Sequence, residues 1–291
     1  MTCLSKTSAC CNLIAGLALV AACSQSASAQ VATDGTLGPR LALAGPNYAV
    51  GPGLGRASGQ NLFHSFSTLN VRTGESVNFQ GGSGITNIIS RVTGGAPSAI
   101  DGQIRSVNPG VNLYLLNPSG IVFGPGASLN VSASFYASTA DQLAFADGSR
   151  FRSAGDASEN VNQLPFTAPS GFQFAGQSAP ITLSGSQLVV RDGNTLGLIG
   201  GSVRMSNAGS RVSILSVLGG TAAVAATGGS ADIGLDGRAT RGTATGRLDA
   251  VGGTIFAVNE NASGNGSGRI VIRGGDVFFE KAQLLANSRL G

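Results

Sequence analysis

Three decapeptides carry the clearest periodicity in the chain. Residues 196–205 read LGLIGGSVRM, residues 248–257 LDAVGGTIFA and residues 270–279 IVIRGGDVFF. Each has apolar residues at its first, third, eighth and tenth positions and Gly-Gly between the halves. Apolar residues two apart share one face of a strand. Paired glycines, which readily adopt φ > 0, bend or break that strand. The pattern therefore predicts strand, corner, strand. The second and third copies start 22 residues apart, which suggests one coil of a β-solenoid.

Shorter segments agree with this reading. Residues 181–183, 188–190, 211–217 and 269–272 alternate apolar and polar between Gly, Ser, Asn and Asp turns. An amphipathic helix would need apolar positions three and four apart without glycine pairs. A β-sandwich has no reason to repeat one corner. Two regions are expected: 30–160, with more irregular sequence, and 175–291, with repetitive coils that could continue into a longer protein. Residues 161–174, with Pro165 and Pro169, read as a linker or crossover loop.

The first 29 residues change the picture. Lys6, the apolar run 13–22 and the small residues Ala27, Ser28 and Ala29 have the order of a secretory signal peptide, with cleavage before Gln30. Val20-Ala21-Ala22-Cys23 also resembles a lipoprotein box, which would anchor the product through Cys23. All four cysteines lie in this leader, so a product starting at Gln30 has none. Such a chain can cross an oxidising compartment unfolded without becoming cross-linked.

Composition then narrows the class. The 45 glycines suit many turns, while 42% hydrophobic and 11% charged residues argue against disorder. The net charge of +4 is scattered and aromatics are few, so no nucleic-acid surface is expected. No apolar run after the leader is long enough for a spanning helix, so no integral membrane span is expected.

Three ordered blocks point to a family. NLFHSFSTLNVRTGESVNF (61–79), ITNIISRVTGGAPSAIDGQIR (85–105) and NLYLLNPSGIVFGPGASLNVSASFYASTADQL (112–143) resemble the two-partner secretion domain of filamentous haemagglutinins. The family's Asn-Pro-Asn-Gly-Ile turn is matched by Asn117, Pro118, Ser119, Gly120 and Ile121, with Ser119 in place of the second Asn. A second family motif, Asn-Pro-Asn-Leu, has no match, so the chain resembles the shorter variant. The expected fold is all-β: a right-handed parallel β-helix with an N-terminal cap and extra-helical β-elements. The resemblance implies a secretion-targeting domain of an exported exoprotein, an adhesin, delivered through the periplasm to the cell surface. Its implied partner is an outer-membrane β-barrel transporter with periplasmic recognition domains. A surface glycan or cell receptor stays open as a further partner.

The turn also has a local reading. Asn at its first position can bond the backbone two residues on, Pro presets φ, and Gly suits the fourth position of a tight turn. It is either a solenoid corner or a point of transporter contact.

Enzyme chemistry finds little support in the residues. A carbohydrate-active β-helix would need clustered carboxylates, and Asp232 and Asp236, near Arg238 and Arg241, read as a solvated turn. His64, the only histidine, has no accompanying ligand or nucleophile motif. Gly51-Pro52-Gly53-Leu54-Gly55 lacks the setting of a dinucleotide fingerprint. No catalytic residue, cofactor or metal is expected. A carbohydrate-active enzyme and a lipid-anchored surface protein are the alternatives.

Overall fold

The structure is a computed structural model that describes residues 29–106, 108–155, 163–191, 193–259 and 268–288. Ala27 and Cys23, with the leader readings that rest on them, lie outside the described residues.

Twenty-eight strands and one short 3-10 turn, Pro52–Leu54, make up the regular structure of the described residues. Three sheets of parallel strands form the coils. Sheet 1 contains Asn61–Leu69, Asn87–Val92, Asn112–Leu116, Phe135–Ser138, Thr195–Gly200, Thr221–Ala226 and Arg269–Arg273. Sheet 2 runs from Ser98–Ile100 to Asp276–Glu280, and sheet 3 from Asn47–Val50 to Gln283–Ser288. The chain visits sheets 3, 1 and 2 in turn and each strand pairs with its counterpart one coil on. The fold is a parallel β-helix. Coils are already regular within 61–138, although the sequence there does not repeat.

The decapeptides form corners, as expected, but they are not equivalent. The first and third join sheet 1 to sheet 2, whereas the second joins sheet 2 to sheet 3. Leu248 therefore stacks on Val277 of the next coil and not on Ile270, so the 22-residue spacing does not measure a coil. The glycines also act differently. Gly252 and Gly253 have φ of 72° and 88°, which suits glycine. At Gly201 a Cβ would collide with the Ser178 carbonyl, and at Gly275 with that of Thr245. There the need is for close approach of backbones, not for positive φ.

Sheet 1 is buried on both faces, unlike its neighbours. Inward, Leu62, Phe66, Ile88, Leu113, Leu115 and Phe135 join the core of the helix. Outward, Phe63, Ile89, Tyr114, Leu116, Tyr136 and Ile199 enter a second core. A strand buried on both sides reads as a continuous apolar run, as Leu113-Tyr114-Leu115-Leu116 does. In sheet 3, by contrast, Leu188 and Val190 are buried while Val189 between them is exposed.

The second core is roofed by an antiparallel outer sheet, the extra-helical element. Its strand order is Arg150–Arg152, Gln142–Phe145, Pro169–Phe174, Ala231–Gly234 and Ala239–Gly242. Leu143, Phe145, Phe151, Phe172, Phe174 and Ile233 point down onto sheet 1. Two excursions from the coils build it: sheet 1 passes from Ser138 to Ile199, 61 residues on, and from Ala222 to Ile270. The regions expected on either side of residue 160 thus share one sheet. Within 161–174, Pro169–Phe174 is the central strand of that sheet. Residues 163–168 lead into it, with Leu164 and Pro165 buried.

The N-terminal end is capped. Val31–Thr33 and Arg56–Ser58 pair antiparallel with Asn61–Leu69, the first sheet 1 strand of the coils.

An asparagine ladder ties the early coils together. Asn87 donates from its amide to Asn61 at 2.9 Å, 26 residues earlier. Asn112 donates likewise to Asn87 at 3.0 Å, across 25 residues. Asn61 in turn donates to the carbonyls of Pro165 and Thr167, at 3.0 and 2.7 Å. Asn87→Ala removes both rungs and strands a buried acceptor on Asn61. It is expected to cost about 2–3 kcal/mol, measured as a lowered urea midpoint with an unchanged m-value.

The secretion-motif turn and the first coils

Asn117–Ile121 is the corner where the strand Asn112–Leu116 leaves sheet 1 for Ile121–Phe123 of sheet 2. The Asn117 side chain is buried and fully engaged. Its amide donates to the Ala96 carbonyl and to Ser98 Oγ, both at 3.0 Å, in the preceding coil. Its carbonyl oxygen accepts the Ser119 N–H at 2.9 Å. This is the side-chain-to-backbone bond two residues on that Asn offers in turns. The Gly120 N–H closes the turn on the Asn117 carbonyl at 3.0 Å.

Gly120 has a φ of 116°, open in practice to glycine alone. Ile121 is fully buried in the helix core, whereas Pro118 and Ser119 are half-buried and reachable from outside. The turn thus staples one corner to the corner below it. Of the expected cleavage residues, Ala29 and Gln30 are described and half-buried. The Gln30 carbonyl accepts the Asn70 N–H at 2.7 Å, directly before the cap strand begins at Val31.

A buried ionic hub missed by the sequence reading lies one coil below. Arg91 is almost completely buried. It donates from Nε to Ser65 Oγ at 2.8 Å, from Nη1 to the Arg152 carbonyl at 3.0 Å and from Nη2 to Thr36 Oγ1 at 3.2 Å. The guanidinium also lies 4.6 Å from the centre of the Phe151 ring, a favourable cation–π placement. Ser65 donates onward to Asp34 Oδ2 at 2.5 Å, and Thr93 and Thr36 donate to the same carboxylate. Burial raises the Asp34 pKa, but hydrogen bonds from Ser65, Thr36 and Thr93 outweigh it and hold the carboxyl below its ordinary value. The hub joins cap, first coils and outer sheet. Only the unusual position of an Arg in the apolar run Ile88-Ile89-Ser90-Arg91-Val92 hinted at it.

His64 sits fully buried on the first coil strand, with the rings of Phe66 and Phe79 each 6.2 Å away. Neither ring nitrogen has a hydrogen-bond partner by ordinary geometry, although the nearby Leu54 backbone slightly favours the protonated form. Burial dominates and pushes its pKa down to about 4. The histidine is therefore a neutral packing residue. Asp232 faces Arg241 at 3.3 Å and Asp236 faces Arg238 at 3.5 Å, two separate ion pairs at the surface. No group of three or more metal-ligating side chains occurs among the described residues. No helix among them is long and apolar enough to cross a membrane.

The arrangement defines a capped parallel β-helix whose early coils are stapled by asparagines at strand and corner. A family model described as the TPS secretion domain matches residues 29–272. The chain belongs to this family, the two-partner secretion domains. A solved structure described as the filamentous hemagglutinin secretion domain matches at 15% identity with a TM-score of 0.45. That match covers 79% of this chain and 91% of that one. No curated protein matches the chain in sequence.

Three outcomes follow. Asn117→Ala is expected to cost about 2–3 kcal/mol by orphaning the Ser119 N–H and the polar groups of the coil below. Ser119→Asn should stay within about 0.5 kcal/mol of the parent in the same urea titration. For His64, the unfolded chain binds a proton near pH 6.5 and the folded one only near 4. Its contribution is complete above pH 6.5 and is lost as pH falls toward 4, about 3 kcal/mol in all. His64→Leu should abolish that part of the pH dependence, read from unfolding midpoints at pH 7 and 4.5.

Proposed function

We propose that this chain is the secretion-targeting domain of a filamentous haemagglutinin-like exoprotein, recognised by a partner outer-membrane β-barrel transporter. The family match over residues 29–272 carries the reading. The signal peptide ends at Ala29, and the product beginning at Gln30 meets the transporter's periplasmic domains while still extended. An extended segment can pair with an exposed sheet edge on those domains. The chain then threads outward and folds at the cell surface, as the front end of an adhesin.

Three features support this route. A product from Gln30 carries no cysteine that could cross-link it in transit. Each coil pairs chiefly with the coils before and after it, so folding can advance from one end as chain emerges. The cap strands occupy the N-terminal edge of sheet 1, so the coils are added on its other side. The enzyme alternative is disfavoured by the one acidic pair the sequence offered, because Asp232 and Asp236 each bind an arginine.

The test follows the chain in cells with and without its cognate barrel. Barrel-dependent appearance in the medium or at a protease-accessible surface, with a product starting at Gln30, is the expected result. A chain retained in the periplasm whatever the barrel, or one acylated at Cys23, overturns the proposal.

A further inference from the structure

The outward face of the outer sheet has no part in either core. Strand register aligns one residue from each of its five strands: Arg152, Gln142, Gln173, Asp232 and Arg241. The adjacent outward row reads Arg150, Ala144, Gly171 and Gly234. A polar ladder therefore runs across the strands beside a floor nearly free of side chains. Two hollows of ≈ 270 and ≈ 310 Å³ lie along it and share Arg150, Gln173 and Asp232 in their walls. The floor has mixed causes. At Gly171 a Cβ would come within 2.6 Å of the Ile233 carbonyl, whereas at Gly234 its nearest neighbour would be the Asp236 carboxylate, at 3.1 Å.

The bonding state of the ladder is informative. Asp232 is paired with Arg241, and Asp141 at the rim accepts the Ala175 N–H at 2.7 Å. The side-chain amides of the half-buried Gln142 and Gln173 bond to no other described residue, and the Arg150 guanidinium has no ion pair or hydrogen bond there. Two free amides and one free cation thus line a trough whose acids are already engaged.

This pattern selects a ligand chemistry. Planar amides donate and accept together, which matches vicinal hydroxyl groups. Strands lie about 4.8 Å apart, so the ladder offers one polar group at roughly the interval at which sugar rings recur along a linear chain. Its five strands span about 19 Å, room for several rings. The flat floor of Ala144, Gly171 and Gly234 accepts the apolar face of a ring. Arg150 adds a fork suited to a carboxylate. We propose that the outward face of the outer sheet binds an extended acidic oligosaccharide lying across the strands, with Gln142 and Gln173 reading hydroxyls and Arg150 a carboxylate.

This site is independent of transporter recognition, and its test is kept separate. The exported chain is titrated calorimetrically with hexasaccharides of hyaluronan and of polygalacturonate, with cellohexaose as the uncharged control. Saturable binding of at least one acidic hexasaccharide, stronger than that of cellohexaose, is expected. The double variant Gln142→Ala/Gln173→Ala should weaken it at least tenfold, and Arg150→Ala should remove the preference for the acidic ligand. These side chains touch neither core, so export and unfolding midpoint should match the parent, which separates lost recognition from lost fold. Failure of both acidic hexasaccharides to bind saturably, or binding unchanged in the variants, overturns the proposal.

Discussion

Everything in this molecule follows from a sheet that must be covered on both sides. Sheet 1 turns Leu62 and Phe66 into the helix and Phe63 outward from the same strand. Exposed, the outward set of large aromatic and aliphatic side chains would form an apolar patch of the kind that drives association. The outer sheet removes it from water. Fully burying one such side chain is worth about 1.5–3 kcal/mol, and Phe63, Ile89, Tyr114, Leu116 and Tyr136 all lie beneath the roof. Arg91 then fits this scheme as a pin. Its stem runs through the apolar strand while its guanidinium reaches the Arg152 carbonyl and the Phe151 ring of the roof. A buried charge left without partners would be costly, so its hydrogen bonds hold roof, coil and cap in one register.

A second constraint is direction. Along sheet 1 the cap strands run antiparallel to the coils, so the N-terminal edge differs from every later edge. The asparagine ladder then repeats one bond between successive coils, and Asn117 makes the comparable bond at the next corner. Each is satisfied only when the coil below is already in place. A chain built this way gains its polar pairing coil by coil, and no coil must wait for a distant partner except where the outer sheet forms. Roof strands such as Pro169–Phe174 and Ala231–Gly234 pair across long stretches of sequence and carry the larger entropic cost of closure.

The parts of the fold legible in the sequence are the local ones. Ile181 and Leu183 in sheet 2 and Leu188 and Val190 in sheet 3 alternate because one face of each of these sheets meets solvent, and the period-2 pattern reveals them. The bond from Asn117 to the Ser119 N–H was readable because it spans two residues and depends on Asn and Pro alone. The outer sheet was not readable: its strands alternate like any others, and nothing local tells Phe172 that its partners are Leu143 and Ile233. The Gly-Gly repeat misled for a related reason. A glycine pair marks a corner, but three sheets give three kinds of corner, and the motif does not say which. Arg91 and the ladder asparagines were visible as polar residues in apolar runs, yet their partners lie a full coil or more away.

The roof separates two demands on its own strands. Inward, Leu143, Phe151, Phe172 and Ile233 must fit the aromatic surface beneath, and a change of volume there is felt by the whole second core. Outward, the alternate residues of the same strands belong to neither core, and apart from Gly171, which the Ile233 carbonyl holds to glycine, they are little constrained by packing. Alternation thus gives a module committed to export one face on which surface chemistry can change without disturbing the coils. The outward rows are not filled with the lysine and glutamate usual for a solvated face. Glutamines and arginines stand beside a floor of alanine and glycine; close approach of the Ile233 carbonyl accounts for Gly171, but strand pairing does not call for the glutamines and arginines beside it.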